Sequence, residues 1–260
     1  MLKNSELLIE DEVQNYSPDQ LIRRTFLHYR LLLVIGDPGS GKSTLLKYYA
    51  LCCLQNKQDR LFHDSVSVRV FYLPLRELTL DDSKQYLTLP EQLSHWSTAR
   101  ANAINANVFE QWLRNTGGAK SLVLLDGLDE ISDLELRKAA CNWIDKQHTG
   151  FPETYFVVTT RLSGYRKTEG VELAADHIRA DVMDFTAAQQ EEFLSKWLSA
   201  AFLRELCPVD LTPEVWAEKQ KQEAEEKTRT IVEYLGKTEN RGLRQLAAMP
   251  MMLQIMAILW

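Results

Sequence analysis

The chain has 260 residues, 45% hydrophobic and 25% charged, with 30 basic against 36 acidic side chains and a net charge of −6. That is enough chain for one large folded unit, or one with a small helical companion, in a composition ordinary for a globular protein. The acidic balance gives no support for whole-surface binding to nucleic acid or anionic lipid, and Cys52, Cys53, Cys141 and Cys207 lack the C-x-x-C spacing and histidine neighbours of a zinc site. The cysteines suit small buried hydrophobes in a reducing cytosol. The polar start, Met1 to Glu6, lacks the apolar stretch of a secretory leader, so the expected location is cytoplasmic.

Residues 1–30 read as a lead-in with one helix, from about Pro18 to Tyr29. Leu31-Leu-Leu-Val-Ile35 is a continuous apolar run, the pattern of a strand covered on both faces in a parallel sheet. It runs into Gly36-Asp37-Pro38-Gly39-Ser40-Gly41-Lys42-Ser43-Thr44, which fits G-x-x-x-x-G-K-[ST]. Glycines there let backbone N–H groups curl around an anion, and the helix starting near Lys42 turns its positive end toward it. Lys42 is expected to reach the β- and γ-phosphates and the Ser43 hydroxyl to ligate Mg²⁺.

Further along, Ser65–Leu73 reads as a second strand, with helices near 90–101 and 108–115, the latter closed by Gly117-Gly118. Ser121-Leu-Val-Leu-Leu-Asp126 is a third strand with an acid at its tip, where ligands bind in open α/β sheets. Asp126 there suits Mg²⁺, held through water. Asp129 and Glu130 follow closely enough to be second-layer metal partners or the base that polarises the attacking water, and which of the two is the base stays open. A helix over 134–147 precedes the strand Thr154–Thr160, whose tip carries Thr159, Thr160 and Arg161. Thr160 and Arg161 are expected at the same edge, with Arg161 reading a γ-phosphate or reaching a neighbour's nucleotide. Residues 178–183 suit a fifth strand.

After about 186 the pattern is helical only: 186–204, 213–235, 239–248 and 251–260. The Glu/Lys/Gln-rich run 217–229 reads as a solvated face. The last stretch, 246–260, is apolar nearly all round, which predicts an exposed patch in want of a partner surface. It is shorter than the roughly 20 residues a membrane span needs. The tryptophans and Met249, Met251, Met252 and Met256 are expected in the core.

The expected fold is therefore α/β: a P-loop NTPase three-layer sandwich with a mostly parallel five-stranded sheet over 31–200, then a small all-helical subdomain over 201–260.

The three motifs together resemble the NACHT family of STAND NTPases, NLR-like relatives of the AAA+ class. Asp126, Gly127, Leu128, Asp129 and Glu130 match the family's acid, small, apolar, Asp-Glu pattern, the small residue being its marker. Thr159-Thr160-Arg161 matches as well. Leu246-Ala-Ala-Met-Pro250-Met-Met-Leu253 matches the family's Leu-x-x-Asn-Pro-Leu-x-Leu with Met249 in place of Asn. The resemblance implies that Pro250 packs against the nucleotide base; the residue itself also serves simply to start a helix. It further implies binding of ATP or ADP (GTP being the alternative) with Mg²⁺, slow hydrolysis, self-association in the triphosphate state, and a role in immune or anti-phage defence. Covering roughly residues 20–260, it implies that the family's winged-helix, C-terminal sensor and N-terminal effector domains lie outside this chain, which is expected to be a fragment or part of a shorter variant. Three rivals stand beside it: a nucleotide-holding scaffold without turnover, a P-loop kinase, and a DNA-acting AAA+ loader. Sparse arginines after Arg161 disfavour the second, and the net charge disfavours the third.

Overall fold

The computed structural model describes residues 15–63, 67–114 and 118–260. The start of the lead-in, the first residues of the expected second strand and the Gly117 helix stop lie outside them. α1 (Pro18–His28) begins on a reciprocal cap between Ser17 and Gln20 with proline in its first turn. β1 (Leu31–Ile35) is buried at every residue. Its period-two alternation sends Leu31, Leu33 and Ile35 to one face of the sheet and Leu32 and Val34 to the other. The expectation of a doubly covered strand is met because both faces carry helices.

α2 (Lys42–Leu54) and α1 cover one face with Ile22, Leu46, Tyr49, Cys52 and Cys53. The opposite face is covered by α3 (Leu89–Thr98), α4 (Ala106–Leu113) and α5 (Leu134–Gly150). Between these layers lie β2 (Val68–Pro74), β3 (Lys120–Asp126), β4 (Thr154–Thr160) and β5 (Ile178–Asp181), in the order β2-β3-β4-β1-β5. Every pairing is parallel, so the sheet is fully rather than mostly parallel. This order makes β3, β4 and β1 adjacent, and so brings the loops after all three to one carboxyl edge, where chain direction reverses across the sheet.

β5 leads into α6 (Ala187–Phe202), α7 (Pro213–Gly236), α8 (Arg241–Ala247) and α9 (Pro250–Leu259). These enclose a separate cluster around Leu194, Leu198, Ala224, Ile231, Leu235, Ala247, Leu253 and Ala257. α6, which spans the expected boundary at 200, contributes Leu194 and Leu198 to that cluster. Among the described residues no single helix is long and apolar enough to cross a membrane, and residues 238–247 meet α9 at a bend of 118°.

Candidate functional site

The loop 36–41 joins the sealed strand β1 to α2. Gly39 and Gly41 have φ of +78° and +96°, a region that L side chains rarely enter. Gly41 caps α2 with no side-chain hydrogen bond, so the first turn directs its backbone N–H groups outward, the arrangement an anion selects. Lys42 Nζ lies over the loop and donates to the carbonyl oxygens of Gly36 at 2.7 Å and Asp37 at 3.0 Å. Burial lowers its pKa below the ordinary lysine value; Asp129 opposes this, Arg161 reinforces it, and Asp126 and Asp37 oppose it. Ser43 and Thr44 are exposed on the first turn of α2. Gly36 is close-packed: a Cβ there would meet Ser40 Oγ at 2.6 Å and the Val182 side chain at 3.0 Å, just past β5.

At the tip of β3, Asp126 is buried and held by both oxygens. Oδ1 accepts from Thr159 Oγ1 and Oδ2 from Tyr72 OH, each at 2.6 Å. Thr159 in turn accepts from the Gly127 N–H at 2.9 Å. The parallel registers place Leu122 beside Tyr155 and Leu124 beside Val157, so Asp126 and Thr159 share one face. Thr160 is on the other face, and its hydroxyl donates to the Arg161 carbonyl. Thr160 and Arg161 thus stand together at the tip of β4, while the hydroxyl that holds Asp126 is that of Thr159, a partner that counting in twos along β4 from the register would have found.

Gly127 adopts φ +78°, and a Cβ there would come within 2.8 Å of Glu130 Cδ. The small residue at 127 is thus needed both for the left-handed turn and for space beside Glu130. Glu130 Oε2 accepts from Arg76 Nη1 at 2.6 Å, both side chains being substantially exposed. Asp129 faces the other way, into β4. Its Oδ1 accepts from the Arg161 backbone N–H and its Oδ2 from Arg161 Nε, both at 2.9 Å. A methyl at Gly164 would collide with Asp129 Cβ, so that glycine permits the fit. Asp129 and Arg161 thus hold each other, while Glu130 lies in a separate pair. Neither Tyr72, near the end of β2, nor Arg76, in the turn just past it, carried a motif signal in the sequence; only the adjacency of β2 to β3 brings them in.

Arg161 also lines a cleft of about 590 Å³ with Asp37, Pro38, Leu162, Ser163, Tyr165, Arg166, Lys167 and Thr168. Three cations and part of the glycine loop therefore face one space. The helical part closes on the loop from the far side. Pro250 occupies the first turn of α9, and the next residue, Met251, donates its N–H to the Gly39 carbonyl at 3.3 Å. A Cβ on Gly39 would come within 2.9 Å of Met251 Cβ. None of Met249, Met251, Met252 and Met256 is fully buried, which corrects the expectation of a core group in part: α9 buries Leu253 and Ala257 in its cluster, and Met256 packs against it half-buried. The tryptophans divide likewise, Trp143 being buried and Trp260 45% exposed.

Oxygen donors at Ser43 and Asp126 suit a hard cation such as Mg²⁺, which favours one or two carboxylates plus substrate phosphates. Among the described residues no three His, Cys, Asp or Glu side chains gather as an all-protein metal site. A nucleotide's phosphates fit the glycine cradle for the same reason: it is lined by backbone, with no Cβ at Gly39 or Gly41.

Residues 30–201, more than half of the chain, match the family model of the NACHT domain. No curated protein matches the chain. Among solved structures, a DNA replication initiation factor aligns at 16% identity and a TM-score of 0.41, over 88% of this chain and 64% of that one. The Drosophila ORC bound to DNA aligns at 13% and 0.44, over 85% and 55%. The replication initiator DnaA bound to AMPPCP and single-stranded DNA aligns at 16% and 0.39, over 88% and 64%. This chain thus spans 55–64% of the length of these structures.

Proposed function

The chain belongs to the NACHT family, and from that premise we propose that it binds ATP, or alternatively GTP, together with Mg²⁺ and hydrolyses it slowly as a molecular switch. The observation that carries this reading is the convergence of the glycine cradle, Lys42, Asp126 and Glu130 at one sheet edge. In it, the loop N–H groups and Lys42 hold the phosphates, exchanging Lys42's bonds to Gly36 and Asp37 for charge-assisted ones. Ser43 and Asp126 hold the metal, which supplies charge neutralisation at the phosphates when bound. Glu130 is the base for the attacking water, since Asp129 also accepts from the Arg161 backbone N–H, a bond that stays when the Arg161 side chain turns to a phosphate. The exposed Arg76–Glu130 pair is of the weak kind and exchanges readily.

The cations of the cleft, with Arg161 foremost, read the γ-phosphate or meet an acidic surface of a second copy when the triphosphate form self-associates. Pro250 lies against the base. A defence or signalling role follows from the family. Lys42→Ala is expected to weaken nucleotide binding at least about tenfold, the worth of one charge-assisted contact, roughly 1.5–3 kcal/mol. Glu130→Gln should keep binding and slow phosphate release by about 10²–10⁴-fold. Calorimetry reads the first, where unchanged affinity sinks the phosphate cradle; single-turnover phosphate release reads the second, where a parental rate removes Glu130 from the chemistry.

A second reading, a nucleotide-holding scaffold that turns nothing over, draws on the same Arg76–Glu130 pair, because a base engaged by a guanidinium is not free to take a proton. Phosphate release from the parent chain in one turnover separates the two.

A further inference from the structure

Resting on the metal-nucleotide reading above, we propose that Tyr72 is a positioning residue: from the neighbouring strand its phenol fixes the rotation of Asp126, the carboxylate that holds Mg²⁺. Tyr72 lies outside the three motifs, on β2, which forms an edge of the sheet. Register pairs Tyr72 with Leu124 and Pro74 with Asp126, so the tyrosine stands two residues short of the acid and its long side chain spans the gap. The alternation along β2 sends Val68, Val70 and Tyr72 to the α2 side, where the ring packs with the Leu46, Leu122 and Leu124 cluster. The ring is thus anchored by packing, and only the hydroxyl engages the acid.

The two hydroxyls grip different oxygens. With Thr159 on Oδ1 and Tyr72 on Oδ2, both at 2.6 Å, Asp126 cannot turn about its Cβ–Cγ bond without breaking a short hydrogen bond to each side. Each carboxylate oxygen still has a second acceptor site, left for a cation or a cation-bound water. Outer partners of metal-holding carboxylates act in this manner, and losing one costs about 10–100-fold in metal affinity.

The test is Tyr72→Phe, which keeps the anchored ring and removes the donor. A non-hydrolysable ATP analogue is titrated into parent and variant, with Mg²⁺ and with EDTA. The expected result is EDTA affinity within about twofold of the parent and a Mg²⁺-dependent gain reduced by about tenfold or more. An undiminished Mg²⁺ gain overturns the proposal, and so does an equal loss in both conditions, which marks Tyr72 as a general support of the fold. A parent that binds the analogue with no Mg²⁺ gain overturns the metal reading of Asp126 and the proposal with it; a parent with the gain and an unaffected variant overturns Tyr72 alone.

Discussion

The sheet and the helical part are both built around apolar clusters, yet they are sealed to different degrees. β1 and the β3 residues Leu122 to Leu125 are at most 1% exposed, with a helical layer on each side. The helical cluster is built from α6 to α9 with Phe185 packed against it, and α9 leaves Ile258 60% and Leu259 80% exposed. An α/β sandwich removes both faces of a strand from water at once, whereas a short helix in a small bundle buries one stripe. The sheet thus holds its carboxyl edge between two sealed layers, while the helical part keeps an apolar face exposed.

Two equivalent truncations break or sharpen that contrast. Leu33→Ala in β1 should cost about 2–5 kcal/mol, because both neighbouring layers are fixed and the cavity stays open. Leu253→Ala in α9 should fall near the lower end of that range, since the half-exposed neighbours can settle into the gap. Denaturant melts of the two variants measure this, and equal costs would mean that the two clusters are equally rigid.

At the junction, Gly39→Ala places a Cβ against Met251 in left-handed backbone, a strain of about 1–3 kcal/mol. The expected outcome is faster hydrogen exchange at the Met251 amide with the sheet amides unchanged; exchange that rises uniformly would show that the two regions are one unit.

Arg161→Ala probes the edge itself. Losing a contact made only to a γ-phosphate should weaken a non-hydrolysable ATP analogue about tenfold while leaving ADP nearly unaffected. Equal loss for both nucleotides would instead reflect release of Asp129, whose carboxylate Arg161 holds.

A gentler probe of the sheet side uses pH. Burial lowers the His148 pKa, Arg30 lowering it further, and its Nε2 is buried without a hydrogen-bond partner. A folded-state value below the unfolded one means that the unfolded chain binds the proton more readily, so this contribution is complete at neutral pH and declines as pH falls through about 6.5. His148→Gln should flatten that part of the stability profile; an unchanged slope between pH 7 and 5 would place the titrating group elsewhere.

The smallest effect belongs to the outer face of α9. Ile258→Lys should change the melting midpoint little, by about 0.5 kcal/mol or less, while lowering concentration-dependent light scattering. Scattering that does not change would show that the patch plays no part in self-association.

The strands and the glycine loop were legible because they are written locally: an apolar run, then a left-handed glycine turn, then a helix. Asp126 and the closing Asp129-Glu130 were legible for the same reason. The partners of those acids were not. Tyr72, Arg76 and Gly164 meet the carboxylates only through the strand order and the return of the β4 loop, which are non-local facts. Thr159 is an intermediate case, recoverable by strand parity once β3 and β4 are taken as neighbours.

The helical part is attached to the sheet through a closed circuit of chain. It departs after β5, where Val182 bonds the Ile35 carbonyl, and it returns at Met251 on the Gly39 carbonyl. Between these points Phe185 is tied to Ala248, so departing and returning segments are clasped together a few residues from the loop. A clasp placed so near the loop makes the start of α9 and the glycine turn one continuous hydrogen-bonded seam. A group that drew the Gly39 carbonyl away would leave the Met251 N–H without its acceptor, so the loop and the first turn of α9 share one hydrogen-bond account.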